Sequence, residues 1–475
     1  TTIFQPQNST VEPPPSVYIF VVDSVSNSQA LRSLPKTVSL LQKEFEAVNI
    51  RHVNKVGENS HPNGMALFFG KLIGKDLDRS LFGLPKEPID WNTTEHCWSY
   101  LDDRGFVLSD FTTKHGYVSL MAEDWANGVF NYPSCHGFER EPVTHYMRPF
   151  QKHYEKYGKE SAKYQGFAQC FETHTFLYQY LDAFIEKYPR HPKIAMTWAT
   201  EVAHNDVNRL FHFDAQLFNF FRKHREEFDR SFVFLLGDHG IRWGAVRNTW
   251  IGNREINNPA LFISVPSYLR SQFVPALQEN SGKLLSSFDI HASFVDILNG
   301  PTIGAVRGPT GLRGNSLFRP MPPGPTGLRG NSLFRPMPPG ERSCRSLPIP
   351  VQYCLCEWNR TMIVEDPIRE EVGKMSTILL NGRLKEEEIE KECKKFEYEN
   401  MKKMEKIEGT DGIHSIVFRT KTCGAVFKAI VRVQSINDKL NVSLVSDDFT
   451  RTNSYGKTAE CMNERAELRP ICCCK

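Results

Sequence analysis

Short, unbroken apolar runs separated by stretches of helical periodicity shape the first 300 residues of the chain. The apolar runs occupy residues 17–22, 193–198, 232–237 and 260–265, and each is typical of a strand buried on both faces. Apolar positions recur at helical spacing in residues 33–48, 167–188, 206–226 and 290–298, and residues 49–56 indicate a further strand. Strands that alternate with helices predict a parallel, doubly wound sheet in a three-layer α/β/α core.

The pattern changes beyond Cys344, where cysteines become dense. We expect a charged helix over residues 381–406, with a solvent-exposed face of mixed charge, followed by strands at 413–419, 424–434 and 439–445. Residues 16–340 are therefore interpreted as the α/β domain and residues 341–475 as a smaller, disulfide-containing α+β region. Residues 1–15 are polar and rich in proline, which predicts a linker or stalk.

One segment is repeated without change, because residues 308–323 recur at 324–339. Solenoid repeats diverge and come in larger numbers, so we interpret this pair as a recent tandem duplication or an assembly error. In a surface loop, each doubling of length costs about 0.6 kcal/mol of closure entropy, which leaves the core undisturbed.

Charge and hydropathy exclude some classes of protein. The formal net charge is +3, with 58 basic and 55 acidic side chains interspersed, so the one-sided basic surface of a nucleic-acid-binding protein is not expected. No apolar run reaches the length of a membrane span, and no signal peptide is visible. Because the chain starts at Thr1 without a methionine, membrane attachment through a preceding N-terminal segment stays open.

Twelve cysteines and four Asn-x-Ser/Thr glycosylation acceptors indicate the cellular compartment. Three cysteines lie early and nine fall between Cys344 and Cys474. The acceptors are Asn8, Asn92, Asn359 and Asn441. Together they predict a disulfide-bonded glycoprotein that is secreted or faces the extracellular or lumenal side of a membrane. A metal cluster built from the C-terminal cysteines is the alternative.

Two of the predicted strands lead directly into side chains that bind metals. Asp23 follows the run 17–22, and Asp238 and His239 follow the run 232–237. Ligands in open α/β sheets gather at the carboxyl ends of the strands, so these side chains are expected to meet at one edge. Two carboxylates and an imidazole predict a divalent metal site, with zinc as the expected ion and manganese or calcium as alternatives.

Ser60 lies at another strand-to-helix junction, at the expected N-cap of an apolar helix that has Pro62 in its first turn. A cap alone would be structural. However, a helix N-terminus also favours a bound phosphate or an alkoxide, and a base or a metal turns a serine hydroxyl into an effective nucleophile. We therefore expect Ser60 to be the nucleophile and an additional metal ligand. Asn63, one turn later, is expected to donate a hydrogen bond to a substrate oxygen in the transition state.

These motifs resemble the alkaline phosphatase superfamily, in which an Asp follows the first strand, a Ser/Thr-x-Pro-Asn pattern opens a helix, and Asp-His-Gly follows a later strand. The resemblance implies that Ser60 is the nucleophile, that Asn63 is the oxyanion partner, and that the three strand-end side chains hold metal. The sulfatase elbow of the same superfamily also aligns here. Since Ser60 replaces the cysteine that becomes formylglycine and Gly64 replaces an arginine, an animal-type sulfatase is not expected.

The closer resemblance is to the animal family catalogued as domain of unknown function 229, which belongs to that superfamily. It extends from about Ser16 to Lys475. Its hallmarks, besides the cysteine-ending tail, stand at residues 23–26, 32–37, 54–60, 145–150, 237–242, 348–350 and 353–356. The resemblance implies an alkaline-phosphatase-like fold but no substrate, because the family has no assigned reaction.

A second metal site is incomplete in this pattern. Two-zinc relatives carry Asp-x-x-x-His in the corresponding segment, where this chain has Thr200 and His204, with Glu201 or Asp206 as substitutes for the carboxylate. Single-metal phosphoglycerol and phosphoethanolamine transferases use a histidine in this region to contact substrate. By resemblance, His204 contacts substrate or a second metal, and a structural histidine is the alternative.

Arg242 follows the Asp-His-Gly turn, where it is expected either to clamp an anionic oxygen or to form a surface salt bridge. His291 falls in the middle of a predicted helix and is expected to be packed rather than catalytic.

The expected function is that of an extracellular metal-dependent phosphoester hydrolase or phospho-group transferase with a serine phospho-enzyme intermediate. Its substrate would be a small-molecule, lipid head-group or glycan phosphoester. One alternative is a non-catalytic extracellular binding protein on the same scaffold, which the incomplete second metal site favours. Another is a sulfatase-like hydrolase that uses the unmodified serine.

Overall fold

The structure is a computed structural model, and it describes residues 13–79, 82–158, 172–242, 244–298, 342–355, 359–364, 367–436, 439–445, 449–463 and 465–475. The duplicated segment 308–339 and most of the predicted linker 1–15 lie outside the described residues.

A mixed sheet of seven strands forms the centre of the α/β domain, in the order β2-β8-β7-β1-β6-β4-β5. Its strands in the described part of the chain are β1 (Val17–Val22), β2 (Val48–Asn49), β4 (Val118–Glu123), β5 (His145–Tyr146), β6 (Lys193–Ala199), β7 (Phe232–Leu236) and β8 (Leu261–Ser264). The short β3 (Val53–Asn54) pairs with β9 (Leu285–Ser286) instead. All four predicted apolar runs form strands, whereas β4 is a strand that the sequence analysis missed.

Strand direction follows the prediction in most of this sheet but not at one edge. Five adjacent strands, β7, β1, β6, β4 and β5, run parallel to one another. However, β8 pairs antiparallel to β7, and β2 pairs antiparallel to β8, so the expectation of a wholly parallel sheet is wrong there. An apolar run that is buried on both faces reads the same in either direction, so its sequence does not report its orientation.

Helices cover both faces of the sheet and complete the three predicted layers. One face packs against α3 (Ser60–Phe68), α5 (Val107–His115), α6 (Gly128–Asn131), α12 (Arg270–Asn280) and α13 (Ser287–Leu298). The other face packs against α1 (Asn27–Ser33), α2 (Pro35–Glu44), α8 (His174–Lys187), α9 (Leu210–Lys223) and α10 (Arg225–Asp229). The connections contain α4 (Thr93–His96), α7 (Arg148–His153) and α11 (Trp250–Glu255). The side chains of β1 alternate between the two apolar cores, as expected for a central strand.

An antiparallel sheet dominates the C-terminal region. Its strands are β10 (Arg360–Met362), β11 (Tyr398–Ile407), β12 (Ile413–Thr420), β13 (Val426–Ile436), β14 (Lys439–Leu444) and β15 (Thr450–Arg451), and α14 (Ile368–Glu386) packs against it. The strands predicted at 413–419, 424–434 and 439–445 are confirmed.

The prediction of a helix over residues 381–406 is wrong. The helix α14 already ends at Glu386, and the strand β11 begins at Tyr398. Met401, Met404 and Ile407 are buried three residues apart, which resembles helical spacing. The pairing irregularity between Met401 and Lys403 lets Met401 and Met404 share one apolar core, because an extra residue at a bulge changes the alternation of faces. Ile407 is buried in a different cluster, on the opposite face of the sheet.

Ten cysteines form disulfide bonds in the described part of the chain. The pairs are Cys97–Cys135, Cys344–Cys354, Cys393–Cys472, Cys423–Cys473 and Cys461–Cys474. The predicted disulfides are thus confirmed, and the bonded C-terminal cysteines are not the metal cluster considered as the alternative. Cys170 and Cys356 lie outside the described residues.

No helix within the described ranges combines the length and the apolar character that a membrane span needs.

Candidate active site

The register of the central strands brings Asp23 and Asp238 together. Val21 of β1 pairs with Leu236 of β7, and each aspartate lies two residues beyond its member of this pair. Parallel strands end at the same edge, so the two carboxylates emerge side by side. The candidate ligand atoms of Asp23, Asp238 and His239 lie within 4.8 Å of one another. The three predicted metal ligands are therefore assembled at one point.

Backbone N–H groups hold one oxygen of the Asp238 carboxylate. Asp238 Oδ1 accepts hydrogen bonds from the N–H groups of Ser24, at 3.0 Å, and His239, at 2.8 Å. Ser24 has a positive φ of 63°, which turns its N–H toward Asp238, and its hydroxyl donates to Asp23 Oδ1 at 2.9 Å. Burial raises the pKa of Asp238, and the hydrogen bond from the N–H of Ser24 opposes that rise.

Two atoms at the centre of this cluster have no hydrogen-bond partner among the described residues. They are Asp238 Oδ2 and His239 Nε2, which lie 3.3 Å apart on side chains without exposed surface. The other imidazole nitrogen, Nδ1, lies 2.9 Å from the Gly240 carbonyl oxygen, which can only accept a hydrogen bond. Nδ1 therefore carries the hydrogen, and Nε2 directs a lone pair at a carboxylate oxygen.

Two electron-rich buried atoms that face each other are costly unless a cation lies between them. Burial also lowers the pKa of His239 to about 3, an effect that Arg242 and Lys55 increase and Asp23 opposes, so the imidazole is neutral as a metal ligand must be. The donor set of two carboxylates and one neutral imidazole fits a divalent ion such as zinc.

Ser60 lies beside this cluster, although it is not the helix cap that its sequence context predicts. The N-cap of α3 is Asn59, whose side chain accepts a hydrogen bond from the N–H of His61 at 3.2 Å. Ser60 is the first residue of the helix, so its hydroxyl is not occupied in capping. It donates to Asp23 Oδ2 at 3.0 Å, and the indole of Trp198 donates to the same oxygen at 3.3 Å.

Asn63 makes contacts that differ from the expected contact with substrate. The side chain is fully buried, and its Oδ1 accepts from the N–H groups of Val56 and Gly57 at 2.9 and 3.1 Å. Its two amide hydrogens are donated to the carbonyls of Gly57 and Asn59 at 3.0 and 2.8 Å. No hydrogen is left for a substrate oxygen, so this geometry favours a positioning role in the turn that presents Ser60.

His204 lies in the loop after β6. Its Nδ1 is 3.0 Å from the side-chain oxygen of Asn205, and its contact with substrate or a second metal stays a prediction. Asp206, considered as a substitute ligand, accepts from the N–H of Asn208 at 2.9 Å and caps a short helical turn.

Two buried acids at the end of β4, Glu123 and Asp124, were not predicted from the sequence. Asp124 accepts from the N–H of Thr200 at 2.6 Å and also from that of Glu201. Burial raises the pKa of Glu123 to about 7 and that of Asp124 to about 8. An apolar run that ends in acids is the same signal that marks β1 and β7, so the sequence did contain the information needed to find them.

Two other predicted side chains are also located. Arg242 is buried, and its charge interacts with Asp23 and Glu58, so it is not the surface salt bridge considered as an alternative. His291 is packed in α13 with its Nδ1 3.0 Å from the Leu67 carbonyl, as expected for a structural histidine.

The chain belongs to the family described as "Protein of unknown function (DUF229)", whose model matches residues 2–402. The expected family is thereby confirmed. No curated protein matches the sequence significantly.

Solved structures that are similar to this chain include three from bacteria. One is a protein in the alkaline phosphatase superfamily from Vibrio parahaemolyticus, with 11% identity and a TM-score of 0.39 over 98% of this chain and 89% of that chain. Another is the C-terminal periplasmic domain of phosphoethanolamine transferase EptC from Campylobacter jejuni, with 11% identity and a TM-score of 0.37 over 61% and 90% of the two chains. A third is the lipoteichoic acid synthase LtaP from Listeria monocytogenes, with 14% identity and a TM-score of 0.38 over 60% and 72%. Likeness at this level carries no conclusion about a reaction or substrate.

Proposed function

We propose that this protein is an extracellular, metal-dependent phosphoester hydrolase or phospho-group transferase that uses Ser60 as its nucleophile. The observation that carries the proposal is the contact between the Ser60 hydroxyl and Asp23, on the edge of the cluster formed with Asp238 and His239. A hydroxyl that is held against candidate metal ligands is placed for activation. A serine that served only as a helix cap would not need this contact.

The side-chain atoms of the three candidate ligands suit two tasks, binding of the metal and contact with the Ser60 hydroxyl. Asp23 Oδ1 lies 3.9 Å from His239 Nε2 and faces the proposed metal position, whereas Asp23 Oδ2 accepts the hydrogen bond from Ser60. Asp238 Oδ2 and His239 Nε2 would supply the other two contacts to the ion. When bound, the ion would favour ionisation of the nucleophile and neutralise charge on the phosphoryl oxygens.

The reaction has two displacements at phosphorus. The Ser60 oxygen forms a bond to phosphorus as the bond to the leaving oxygen breaks. The Ser60 proton passes to the Asp23 carboxylate and from there to solvent, and the leaving alkoxide takes a proton from solvent to depart as the alcohol. Water or a second alcohol then takes the phosphoryl group from Ser60 and returns a proton to it, which gives hydrolysis or transfer. Asn63 fixes the turn before Ser60 and so holds the direction of attack.

Two features support the proposed setting. Five disulfide bonds in the described residues are typical of proteins that leave the reducing cytosol, which supports a secreted or lumenal location. The formal net charge of +3 favours a small-molecule, lipid head-group or glycan phosphoester over nucleic acid as the substrate.

The test compares wild type with Ser60→Ala on an aryl phosphate, a phosphodiester and an aryl sulfate, each with zinc, manganese or calcium. We expect turnover of at least one phosphoester, lowered more than about a thousandfold in Ser60→Ala. The matched control is Ser281→Ala, since Ser281 donates only to the carbonyl of Gln278, and it should retain full activity. Full activity in Ser60→Ala would disprove the mechanism. Turnover of only the sulfate would instead identify a sulfatase. Absence of both turnover and bound metal would favour the alternative of a non-catalytic binding protein.

A further inference from the structure

A cleft between the α/β domain and the C-terminal sheet contains a group of buried and half-buried cationic side chains. Lys55 and Glu58 come from the turn before Ser60, Arg247 follows β7, and Lys428 belongs to β13. Glu58 Oε2 pairs with Lys55 at 3.0 Å, and Glu58 Oε1 pairs with Arg247 at 3.3 Å. We call the cleft lined by these four residues the interdomain cleft.

Positive charge exceeds negative charge in the interdomain cleft. Three cations face one carboxylate, and both oxygens of that carboxylate are already paired. The Lys428 ammonium donates to the neutral side-chain oxygen of Asn253 at 2.7 Å and makes no ion pair within the described ranges. The Lys55 side chain has no exposed surface, and that of Arg247 is 8% exposed. Charges this deeply buried are costly unless an anion compensates them.

The strain of this excess charge is visible in the proton affinities. Burial, with repulsion from Arg360 and Arg247, lowers the pKa of Lys428 to about 7. Burial also lowers the pKa of Lys55 to about 8, despite its pairing with Glu58. Glu58 pairs with Lys55 and Arg247, so neither of its carboxylate oxygens is left to pair with Lys428.

Size and position limit what can enter. The cleft has a cavity of about 20 Å³, enough for one oxygen atom the size of water. One oxygen of an oxyanion fits there, whereas the rest of a ligand would lie outside this cavity. Glu58 lines the cleft and is two residues before Ser60, so the cleft adjoins the candidate active site.

We propose that Lys55, Arg247 and Lys428 bind a second anionic group of the substrate, distinct from the ester group that Ser60 attacks. This inference rests on the proposed function for the word substrate, but the anion site itself does not depend on turnover. It defines the substrate class as a phosphoester that carries a further phosphate, sulfate or carboxylate. It also gives the C-terminal sheet a part in recognition, through Lys428.

Anion binding is measured first, without turnover, on the full metal-loaded chain carrying Ser60→Ala. Sulfate is the probe, and titration calorimetry with thermal unfolding gives the affinity and the stabilisation. We expect Lys428→Gln to weaken sulfate binding about tenfold or more, because a buried charged partner is lost. The matched control is Lys402→Gln, which alters an exposed lysine on β11 of the same sheet and should leave binding unchanged. Lys428→Arg should retain most of the affinity.

Equal sulfate affinity in Lys428→Gln and Lys402→Gln would overturn the inference. A second result would also overturn it: lower thermal stability of Lys428→Gln without sulfate, together with an unchanged stabilisation by sulfate. Lys428 would then have only a structural role.

Kinetics of the active protein separate this inference from the proposed function. In Lys428→Gln we expect KM for a bisphosphate substrate to rise about tenfold with kcat retained. KM for an aryl phosphate that carries no second anionic group should rise less than KM for the bisphosphate. Equal effects on both substrates would refute the cleft while leaving Ser60 chemistry intact. Absence of all turnover with sulfate binding still dependent on Lys428 would refute the proposed function alone.

Discussion

Replacing Asn63 with alanine separates a positioning side chain from one that contacts substrate. The substitution removes four buried hydrogen bonds, those with the N–H groups of Val56 and Gly57 and with the carbonyls of Gly57 and Asn59. At roughly 1 kcal/mol for each bond, the free energy of unfolding should fall by about 4 kcal/mol, and by more where the abandoned groups stay out of contact with water.

The assay is urea unfolding followed by fluorescence, with activity measured on the same samples. Asn258→Ala is the matched control, because Asn258 makes two comparable bonds, with the N–H of Val53 and the carbonyl of Arg51, at a partly exposed position. We expect the control to lose half as much stability or less. If Asn63→Ala unfolds at the same urea concentration as wild type and yet loses turnover, the side chain acts on substrate and the positioning role is refuted.

Three other predictions follow from charge and covalent structure. Asp238→Asn keeps the shape of the side chain but removes a charge beside His239, so bound zinc should fall from about one ion per chain to nearly none, as elemental analysis would measure; undiminished zinc would contradict the assigned ligand set. The pKa of Lys428 is about 7 in the folded chain against 10.5 for an ordinary lysine, so the unfolded chain binds more protons in this window and the free energy of unfolding should rise from about pH 7 to about pH 10. Lys428→Met should reduce that rise in urea titrations, and an unchanged slope would mean that Lys428 is not the cause. Removing the Cys393–Cys472 disulfide, which spans 79 residues, should destabilise the C-terminal region by about 4 kcal/mol, against about 3 kcal/mol for Cys344–Cys354, which spans 10, and calorimetry that reversed this order would contradict the loop-entropy argument.

The meeting of the three candidate metal ligands was predictable because a strong local signal determines their positions. A strand buried on both faces must be an apolar run, and the first polar residues after it must lie at the edge of the sheet. Asp23, Asp238 and His239 satisfy this rule, and their meeting requires only that β1 and β7 be neighbours. The same rule would have located Glu123 and Asp124 if the run of β4 had been recognised.

Other features depend on contacts that the sequence does not report. Ser60 contacts Asp23, one of the candidate metal ligands, but Asn59 rather than Ser60 caps the helix, and either residue type is a good cap. The contacts of Asn63 depend on the fold of the turn 56–59, which no periodicity describes. The bulged strand β11 was mistaken for a helix because its buried side chains recur every three residues. The interdomain cleft joins Lys55 to Lys428 from opposite ends of the chain, and only the folded structure brings them together.

The most direct test of the account is to trap the covalent intermediate. Metal-loaded protein is mixed with a phosphoester that it turns over, quenched in acid and digested, and its peptides are analysed by mass spectrometry. The account predicts a phosphoryl group on Ser60 in wild type and none in the corresponding peptide of Ser60→Ala. Turnover with Ser60 unmodified at every quench time, or with the phosphoryl group on another residue, would contradict it.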